Sequence, residues 1–385
     1  MQVDDLYLGD DTLMKCIIDR TSFLRPLGHV QSVVERRNTI PILANVLLKA
    51  RNGRLNLTAT DMDMDILESI ECNVGQEGAL TVPAHILYDI VRKLPDGSEV
   101  NIEGDNESGR MLVSAGRSKF TLPALPADEF PTMNGEELPF RFSMSADNAR
   151  AMIDKTRFAI SNEETRYYLN GIYFHAAESN EVPVLRAVAT DGHRLARVEM
   201  PLPEGAEKMP SIIIPRKAVA EIRKLIEDNE GDISVSLSET KLCFANGDTV
   251  LTTKLIDGTF PDYERVIPSG NDKIMSVECK SLAESVDRVA TISTEKSRSI
   301  KLQLNSGGLV LSASNPESGT ATEELEVNYS GDTIEIGFNS RYLLDIANQI
   351  EGENIEFSLA DSGSPTIVRD LEDNSALYVL MPMRV

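Results

Sequence analysis

Apolar and polar residues alternate along much of the chain, the period-two pattern of strands with one buried face. Three of these strands end in a small-residue step and a polar turn: Leu55–Asp61 (LNLTATD), Leu185–Asp191 (LRAVATD) and Leu309–Asn315 (LVLSASN). Counted at Asp61, Asp191 and Asn315, they recur after 130 and 124 residues. Downstream of each, a β-rich stretch runs into an amphipathic helix: ALTVPAHILYDIVRKLP, SIIIPRKAVAEIRKLIE and TIEIGFNSRYLLDIANQIE. Asp89, Glu221 and Asp345 align these stretches at offsets of 132 and 124. Pro83 and Pro215 fall in the first helical turn, where a missing N–H costs nothing, and Asn339 offers a capping side chain in the third copy. LPADEFP (Leu125–Pro131) and LIDGTFP (Leu255–Pro261) repeat after 130 residues. Landmarks that keep a common offset define a unit of ~120–130 residues present three times.

A second helix opens each unit, over 19–37, 145–161 and 279–296, with the later helices at 83–95, 215–227 and 339–350. Ala149, Met152, Ile153 and Phe158 illustrate the apolar stripe, with one slip in the spacing. The stretch KLCFANGDTVLTTKL carries an Asn246-Gly247 hairpin signal. Each unit therefore reads as two helices packed on antiparallel strands, an α+β module. Polar, proline-containing stretches near 139 and 268 divide the chain into domains 14–139, 140–268 and 269–385, behind an acidic extension over 1–13.

Composition narrows the chemistry. The 385 residues are 41% hydrophobic and 26% charged, which fits two or three soluble domains. The longest apolar runs, such as Ile212–Pro215 and Ala376–Met383, fall far short of the ~18 residues of a membrane span. The N-terminus is acidic where a signal peptide is basic. A cytoplasmic protein without membrane contact is expected. Cys16, Cys72, Cys243 and Cys279 form no CxxC pair, and His29, His85, His175 and His193 lie far apart. This spacing argues against zinc modules and a disulfide framework. The sequence holds no GxxxxGK[ST] loop, no GxGxxG after a strand and no GxSxG elbow. Neither cofactor nor metal is expected.

The net charge of −23 argues, taken whole, against a nucleic-acid partner. Its distribution argues otherwise. The six predicted helices hold 17 Lys or Arg and 11 Asp or Glu in 92 residues, whereas the other 293 residues hold 21 and 50. Solvated helix faces account for part of this bias. A basic, helix-lined surface inside an acidic shell would also hold a polyanion through phosphate contacts without sequence readout. Basic residues without interleaved aromatics favour duplex over stacked single strands.

RYYLNG (Arg166–Gly171), TDGHRLA (Thr190–Ala196), PRK (Pro215–Lys217), DGTFPDYERVIP (Asp257–Pro268) and YVLMPMRV (Tyr378–Val385) resemble the bacterial DNA polymerase III beta subunit, the sliding clamp. The likeness runs from about Met14 to the end of the chain. It implies three clamp-type domains per chain and a head-to-tail homodimer forming a six-domain ring around duplex DNA. It also implies a processivity role without catalysis, in which the chain tethers the DNA polymerase III alpha subunit and other clamp-motif proteins. A separate clamp loader would open the ring, since the chain has no nucleotide-binding loop.

Carried over residue by residue, the family's peptide pocket comprises Leu169, Thr190, Gly192, His193, Arg194, Leu195, Pro261, Arg265 and Val266 from the second unit. The third unit supplies Asn339, Tyr342, Val379, Met381, Pro382, Met383 and Arg384. Methionine and proline make an adaptable groove, and Arg194, Arg265 and Arg384 would grip carbonyls or carboxylates of a bound segment. Gly363 and Pro365 depart from the family's small branched or hydroxyl residues and would reshape one wall. The resemblance implies DNA contact by Arg37, Tyr167, Tyr168, Arg216 and Lys217, with Arg92 and Arg117 as further candidates. Glu163 replaces a glutamine used by some members, which should weaken local contact, and Tyr167 and Tyr168 equally suit core positions. The ring would close through Phe120 and Leu122 against the region of Ile292. Two other readings stand beside the clamp: a hydrolase using Asp191 and His193 as an acid–base pair, and a triplicated scaffold that binds proteins alone.

Overall fold

The computed structural model describes residues 13–105, 107–133, 137–227, 231–293 and 298–384. Six α-helices occur among them: α1 (Arg20–Val33), α2 (Ala84–Lys93), α3 (Ala146–Arg157), α4 (Arg216–Leu225), α5 (Cys279–Ala290) and α6 (Ser340–Ala347). All six coincide with predicted helices but are shorter. The reasons are local. Leu94 precedes Pro95 and is extended (ψ 152), because a residue before proline is pushed out of the helical region, so α2 stops at Lys93. Pro83 sits at the N-cap rather than inside the first turn. In α6, Asn339 caps the helix by accepting from the Arg341 N–H at 3.0 Å. Leu13, assigned from sequence to the extension, opens the first strand, Leu13–Asp19.

The chain folds as two compact units. The first comprises residues 1–146 and 220–255. Its five-stranded sheet runs in the order Asn73–Gln76, Leu13–Asp19, Glu99–Asp105, Arg110–Ala115, Ser118–Pro123. Its nine-stranded sheet runs Leu125–Pro126, Gly78–Pro83, Asn45–Arg51, Arg54–Thr60, Met64–Glu71, Thr249–Lys254, Lys241–Asn246, Asp232–Leu237, Phe140–Ser145. The second unit comprises residues 147–219 and 256–385. Its nine-stranded sheet runs Ile212–Pro215, Gly171–Ser179, Val182–Thr190, Arg194–Pro201, Ala376–Leu380, Thr366–Asp370, Asn354–Leu359, Lys273–Glu278, Asn328–Tyr329. Its four-stranded sheet runs Gly319–Glu326, Gly308–Asn315, Ser299–Asn305, Ile334–Asn339. The second sequence repeat is thus shared between the two units, and in each unit one sheet joins strands of two successive repeats.

Every named strand pair is antiparallel, which suits short hairpin connections. Lys241–Asn246 and Thr249–Lys254 form the expected hairpin, with Gly247 taking φ +58 at the first of two loop positions. That left-handed turn matches the strand twist and favours glycine.

The helices cover sheets with a narrow apolar stripe. In α1 it is Phe23, Pro26, Leu27, Val30 and Val33; in α5 it is Cys279, Leu282, Ser285, Val286 and Val289. α1 and α2 pack antiparallel: Arg20 Nε donates to Val91 O at 3.1 Å at one end, and the His85 ring meets Val34 O at 2.9 Å at the other. Burying such a stripe against a sheet stabilises each helix by about 1.5–3 kcal/mol per large side chain. The outward faces are basic: the observed helices hold 14 Lys or Arg against 7 Asp or Glu, and ten of these bases are exposed.

Candidate functional site

In the second unit, the turn between Val182–Thr190 and Arg194–Pro201 is held by side chains that bond back to their own loop. Asp191 Oδ1 accepts from the N–H of His193 (2.9 Å) and of Arg194 (3.1 Å). Thr190 Oγ1 accepts from Gly192 N–H at 3.1 Å and donates to Arg194 O at 2.7 Å. Gly192 takes φ +87, a conformation that favours glycine, and a Cβ there would lie 2.5 Å from Arg166 Nη1, so a side chain would have to displace that guanidinium. Asp191 is therefore committed to the turn and to Arg194, which leaves it unsuited to act as the base of an acid–base pair.

The chain's C-terminal stretch lies alongside this turn. Leu380 pairs with Arg194 across the sheet, Met381 N–H donates to His193 O at 2.9 Å, and Met383 N–H donates to Gly337 O at 2.8 Å. Residues 381–383 thus bridge the second repeat's turn to the third repeat's strand Ile334–Asn339. The His193 ring lies nearly parallel to that of Tyr342, with centroids 6.4 Å apart. Burial pushes the Tyr342 hydroxyl above its ordinary value.

The residues named from sequence separate into a floor and a rim. Leu169 (4% exposed), Leu195 (2%) and Val379 (1%) belong to the hydrophobic cluster with Val188, Phe260 and Ile367, so they support the surface rather than form it. Thr190 is also buried. The accessible part consists of Val266 (45%) and Met381 (37%), half-buried Asn339, Tyr342, Pro382 and Met383, and exposed Gly192, His193, Pro261, Arg265 and Arg384. Arg265 reaches solvent from a 3₁₀ turn, with Asp262 at 2.7 Å.

Arg194 does not take the gripping role expected of it. Its side chain is 8% exposed and fully engaged: Nε donates to Asp191 Oδ2 (3.1 Å), Nη2 donates to Phe158 O (2.6 Å), and Nη1 pairs with Asp345. The guanidinium lies 4.3 Å from the Tyr342 ring centroid and 5.1 Å from that of Phe158. Its work is to tie the turn to the end of α3 and to α6. Phe158 and Asp345, read from sequence only as helix landmarks, are thus what holds Arg194 and the turn in place. Gly363 lies within a turn held by Asp361, and Pro365 follows it just before Thr366, which pairs with Leu380.

The candidate DNA-contacting residues divide by unit. Tyr167 is 54% exposed and meets Tyr168 edge-on at 5.8 Å, while Tyr168 packs against the core cluster. Exposed Arg216 and Lys217 start α4, and Arg216 N–H donates to Asn170 O at 3.0 Å, which brings all four residues together. Glu163 pairs with Arg166 at 2.7 Å; the hydrogen bond from Arg166 holds its carboxyl below the ordinary range. In the first unit, exposed Arg37 follows the C-terminal end of α1 and Arg92 lies at the C-terminal end of α2, at opposite ends of that antiparallel pair. Arg117 sits in the hairpin turn before Ser118–Pro123, not on a helix. Ile292 is half-buried just past α5.

Among the described residues no helix is long and apolar enough to cross a membrane. Family models match the chain in three consecutive stretches: the DNA polymerase III beta subunit N-terminal domain over 14–134, the central domain over 143–262 and the C-terminal domain over 264–384. The beta sliding clamp of Caulobacter vibrioides is 52% identical over 372 residues, covering 97% of this chain and 100% of its own. That of Escherichia coli K12 is 39% identical over 375 residues, with the same coverage. Among solved structures, the Bartonella birtlesii sliding clamp bound to griselimycin superposes with a TM-score of 0.94 at 50% identity, and Caulobacter crescentus pol III beta at 0.91 and 52%; each covers 97% of this chain and 100% of its own.

Proposed function

The chain belongs to the DNA polymerase III beta subunit family, the beta sliding clamps, and from that premise we propose that two copies join into a six-domain ring around duplex DNA. The three clamp domains extend over 14–139, 140–268 and 269–385. The observation that carries this reading is a pair of open strand edges, Ser118–Pro123 in the first unit and Gly319–Glu326 in the second. The two internal junctions between repeats are strand pairings of one kind: Thr253 faces Met64, and Leu380 faces Arg194. Counted from the hairpin glycines Gly116 and Gly247, Leu122 corresponds to Thr253. Counted from the pairs Thr60–Asp65, Thr190–Leu195 and Ser314–Thr320, Gly319 corresponds to Met64 and Arg194.

Pairing the open edges in that register sets Leu122 opposite Gly319 of a second copy and Phe120 opposite Ala321. Arg117 then faces Glu324, which assigns it to the junction rather than to DNA. Lys119 also enters an edge that carries Glu323, Glu324 and Glu326, so opposite charges meet. α5 packs on Gly319–Glu326, and half-buried Ile292 follows α5 in the chain.

Duplex DNA is held by the exposed bases of the helices, with Arg37, Tyr167, Arg216, Lys217 and Arg92 as contacts, loosely and without base readout. Acidic strands and loops repel DNA elsewhere. The His193–Met381–Arg384 surface takes a peptide of the DNA polymerase III alpha subunit, of the clamp loader or of other DNA-handling proteins. The chain works without catalysis in the cytoplasm.

Light scattering tests the assembly: a mass near twice the chain's 42.4 kDa is expected, falling to one chain in Phe120→Asp. Once placed by a clamp loader and ATP, the native protein should be retained on nicked circular DNA and lost from linear DNA. A monomer at all concentrations would sink the ring.

A further inference from the structure

We propose that His175, Arg186 and Tyr263 are positioning residues for partner binding: they set the 3₁₀ turn Tyr263–Val266 that displays Arg265 and Val266, and protonation of His175 releases it. This rests on the reading of the His193–Met381–Arg384 surface as a peptide site and names a control on one wall of it.

The turn divides its four residues by task. Tyr263 (5% exposed) points inward and joins the cluster that holds Leu169, Leu195 and Val379. Glu264 reaches sideways to Arg186, whose Nη1 donates to Oε1 at 2.6 Å. Arg265 and Val266 are left exposed. No side chain caps the turn, and its backbone closes through Ile267 N–H donating to Glu264 O at 3.2 Å. Its placement therefore depends on what grips Tyr263 and Glu264.

Sheet register supplies that grip. His175 faces Arg186 and Arg186 faces Glu199, in one row across three strands. Arg186 is 6% exposed. Its Nη1 also donates to Tyr263 Oη (3.2 Å), its Nε to Glu199 (2.9 Å) and its Nη2 to Glu178 O (3.0 Å). Arg197 completes the layer by pairing with Glu199 at 3.1 Å. The His175 ring stacks on Tyr173 at 4.6 Å, and Tyr173 stacks on Phe260 at 4.7 Å.

The direction of one hydrogen bond makes this layer sensitive to a proton. His175 Nδ1 meets Ala176 O at 3.1 Å, and a carbonyl only accepts, so Nδ1 carries the hydrogen. Nε2 is then an acceptor: Tyr263 O–H donates to it at 3.0 Å while the same oxygen accepts from Arg186. Protonation makes Nε2 a second donor. The Tyr263 hydroxyl then loses its acceptor, and a new cation stands beside Arg186, facing Glu199 and Glu264 that Arg186 already engages. Burial above all, helped by Arg186, holds His175 below its ordinary 6.5, against Ala176 O, Glu264 and Glu199. The ring is thus neutral and the turn held at neutral pH, and the hold is lost as pH falls below 6.5 through the lowered value.

Tyr263→Phe keeps the ring in the cluster and deletes the hydroxyl. In the full-length variant the Ile267 amide should exchange its hydrogen faster, and affinity for the polymerase alpha subunit by surface plasmon resonance should fall roughly three- to tenfold. Glu264→Gln, which keeps an acceptor for Arg186, should bind better than Glu264→Ala. A pH profile from about pH 8 to about pH 5 separates positioning from mere support. Below pH 6.5 native affinity should fall more steeply than that of His175→Gln, which keeps an acceptor for Tyr263 and gains no proton; His193 titrates in both. Identical profiles, or an affinity unchanged in Tyr263→Phe whether or not Ile267 exchanges faster, overturn the inference. If Met381→Asp weakens polymerase binding in that case, the peptide surface stands and only the control on its wall falls. If the polymerase ignores Met381→Asp as well, the peptide-site reading falls and takes this inference with it.

Discussion

The turns at Thr60–Met64 and Thr190–Arg194 have the same hydrogen-bond frame and different side chains. Asp61 Oδ1 accepts from Asp63 N–H (2.9 Å) and Met64 N–H (2.7 Å), as Asp191 Oδ1 does from His193 and Arg194 (2.9 and 3.1 Å). Thr60 Oγ1 accepts from Met62 N–H as Thr190 Oγ1 does from Gly192. Even the left-handed residue recurs, at φ +77 for Met62 and +87 for Gly192. The first repeat, however, places Met62, Asp63 and Met64 where the second has Gly192, His193 and Arg194, and Asp63 pairs with Lys254 at 3.0 Å. Duplication preserved the scaffold, and side-chain replacement made a basic-rimmed surface in one copy and an acidic one in the other. On the proposed reading, that difference explains why the second repeat's turn and not the first's lies at the peptide surface.

The largest expected effect comes from making the second turn resemble the first at its buried position. Arg194→Met leaves Asp191 and Asp345 without their buried cation, and removing one partner of such a pair costs about 3–5 kcal/mol. Urea titration of the second unit's signal should register that loss, and polymerase binding should fall with it as Tyr342 and the turn separate. An unchanged midpoint would mean that Arg194 is not the tie between turn, α3 and α6.

Backbone strain gives a smaller pair of effects with opposite signs. Gly192→Ala meets both a left-handed φ and the Arg166 guanidinium at 2.5 Å, so a loss of about 1–2 kcal/mol is expected. Met62→Gly relieves the same φ without a clash and should gain up to about 1 kcal/mol by thermal melting. Equal responses at the two sites would contradict the contrast.

The smallest effect concerns pH. Glu163 is held below its ordinary value of 4.5 by Arg166, which also donates to Asp191 O at 3.0 Å. A depressed carboxylate contributes above its unfolded value and loses that contribution as pH falls through its folded one. The Gly192 amide resonance should therefore shift with a midpoint below pH 4.5.

Much of this was legible in the sequence for specific reasons. The Thr-Asp steps at 60–61 and 190–191 with Ser-Asn at 314–315, the prolines and Asn339 at helix starts, and the apolar stripes are local signals, and they placed the three repeats and six helices. What stayed hidden depends on distant packing. The enclosure of Arg194 needs the end of α3 and Asp345 of α6 to converge on a loop far from both in sequence. The depth of Leu169 and Val379 is likewise a property of the assembled sheet, so a residue list carried over from relatives mixes support with surface. Strand edges are hidden for another reason: alternation in Ser118–Pro123 and Gly319–Glu326 reports which face packs and does not name the strand that pairs with the backbone groups at the side.

Those two edges have a further consequence. They belong to different strands with different side chains, so contact between copies is heterologous, and it terminates only when the rotation per step returns to the starting edge. A substitution that leaves the pairing intact but alters the twist of Ser118–Pro123 would not give monomers. It would give an open filament, and light scattering would report the change as mass without limit.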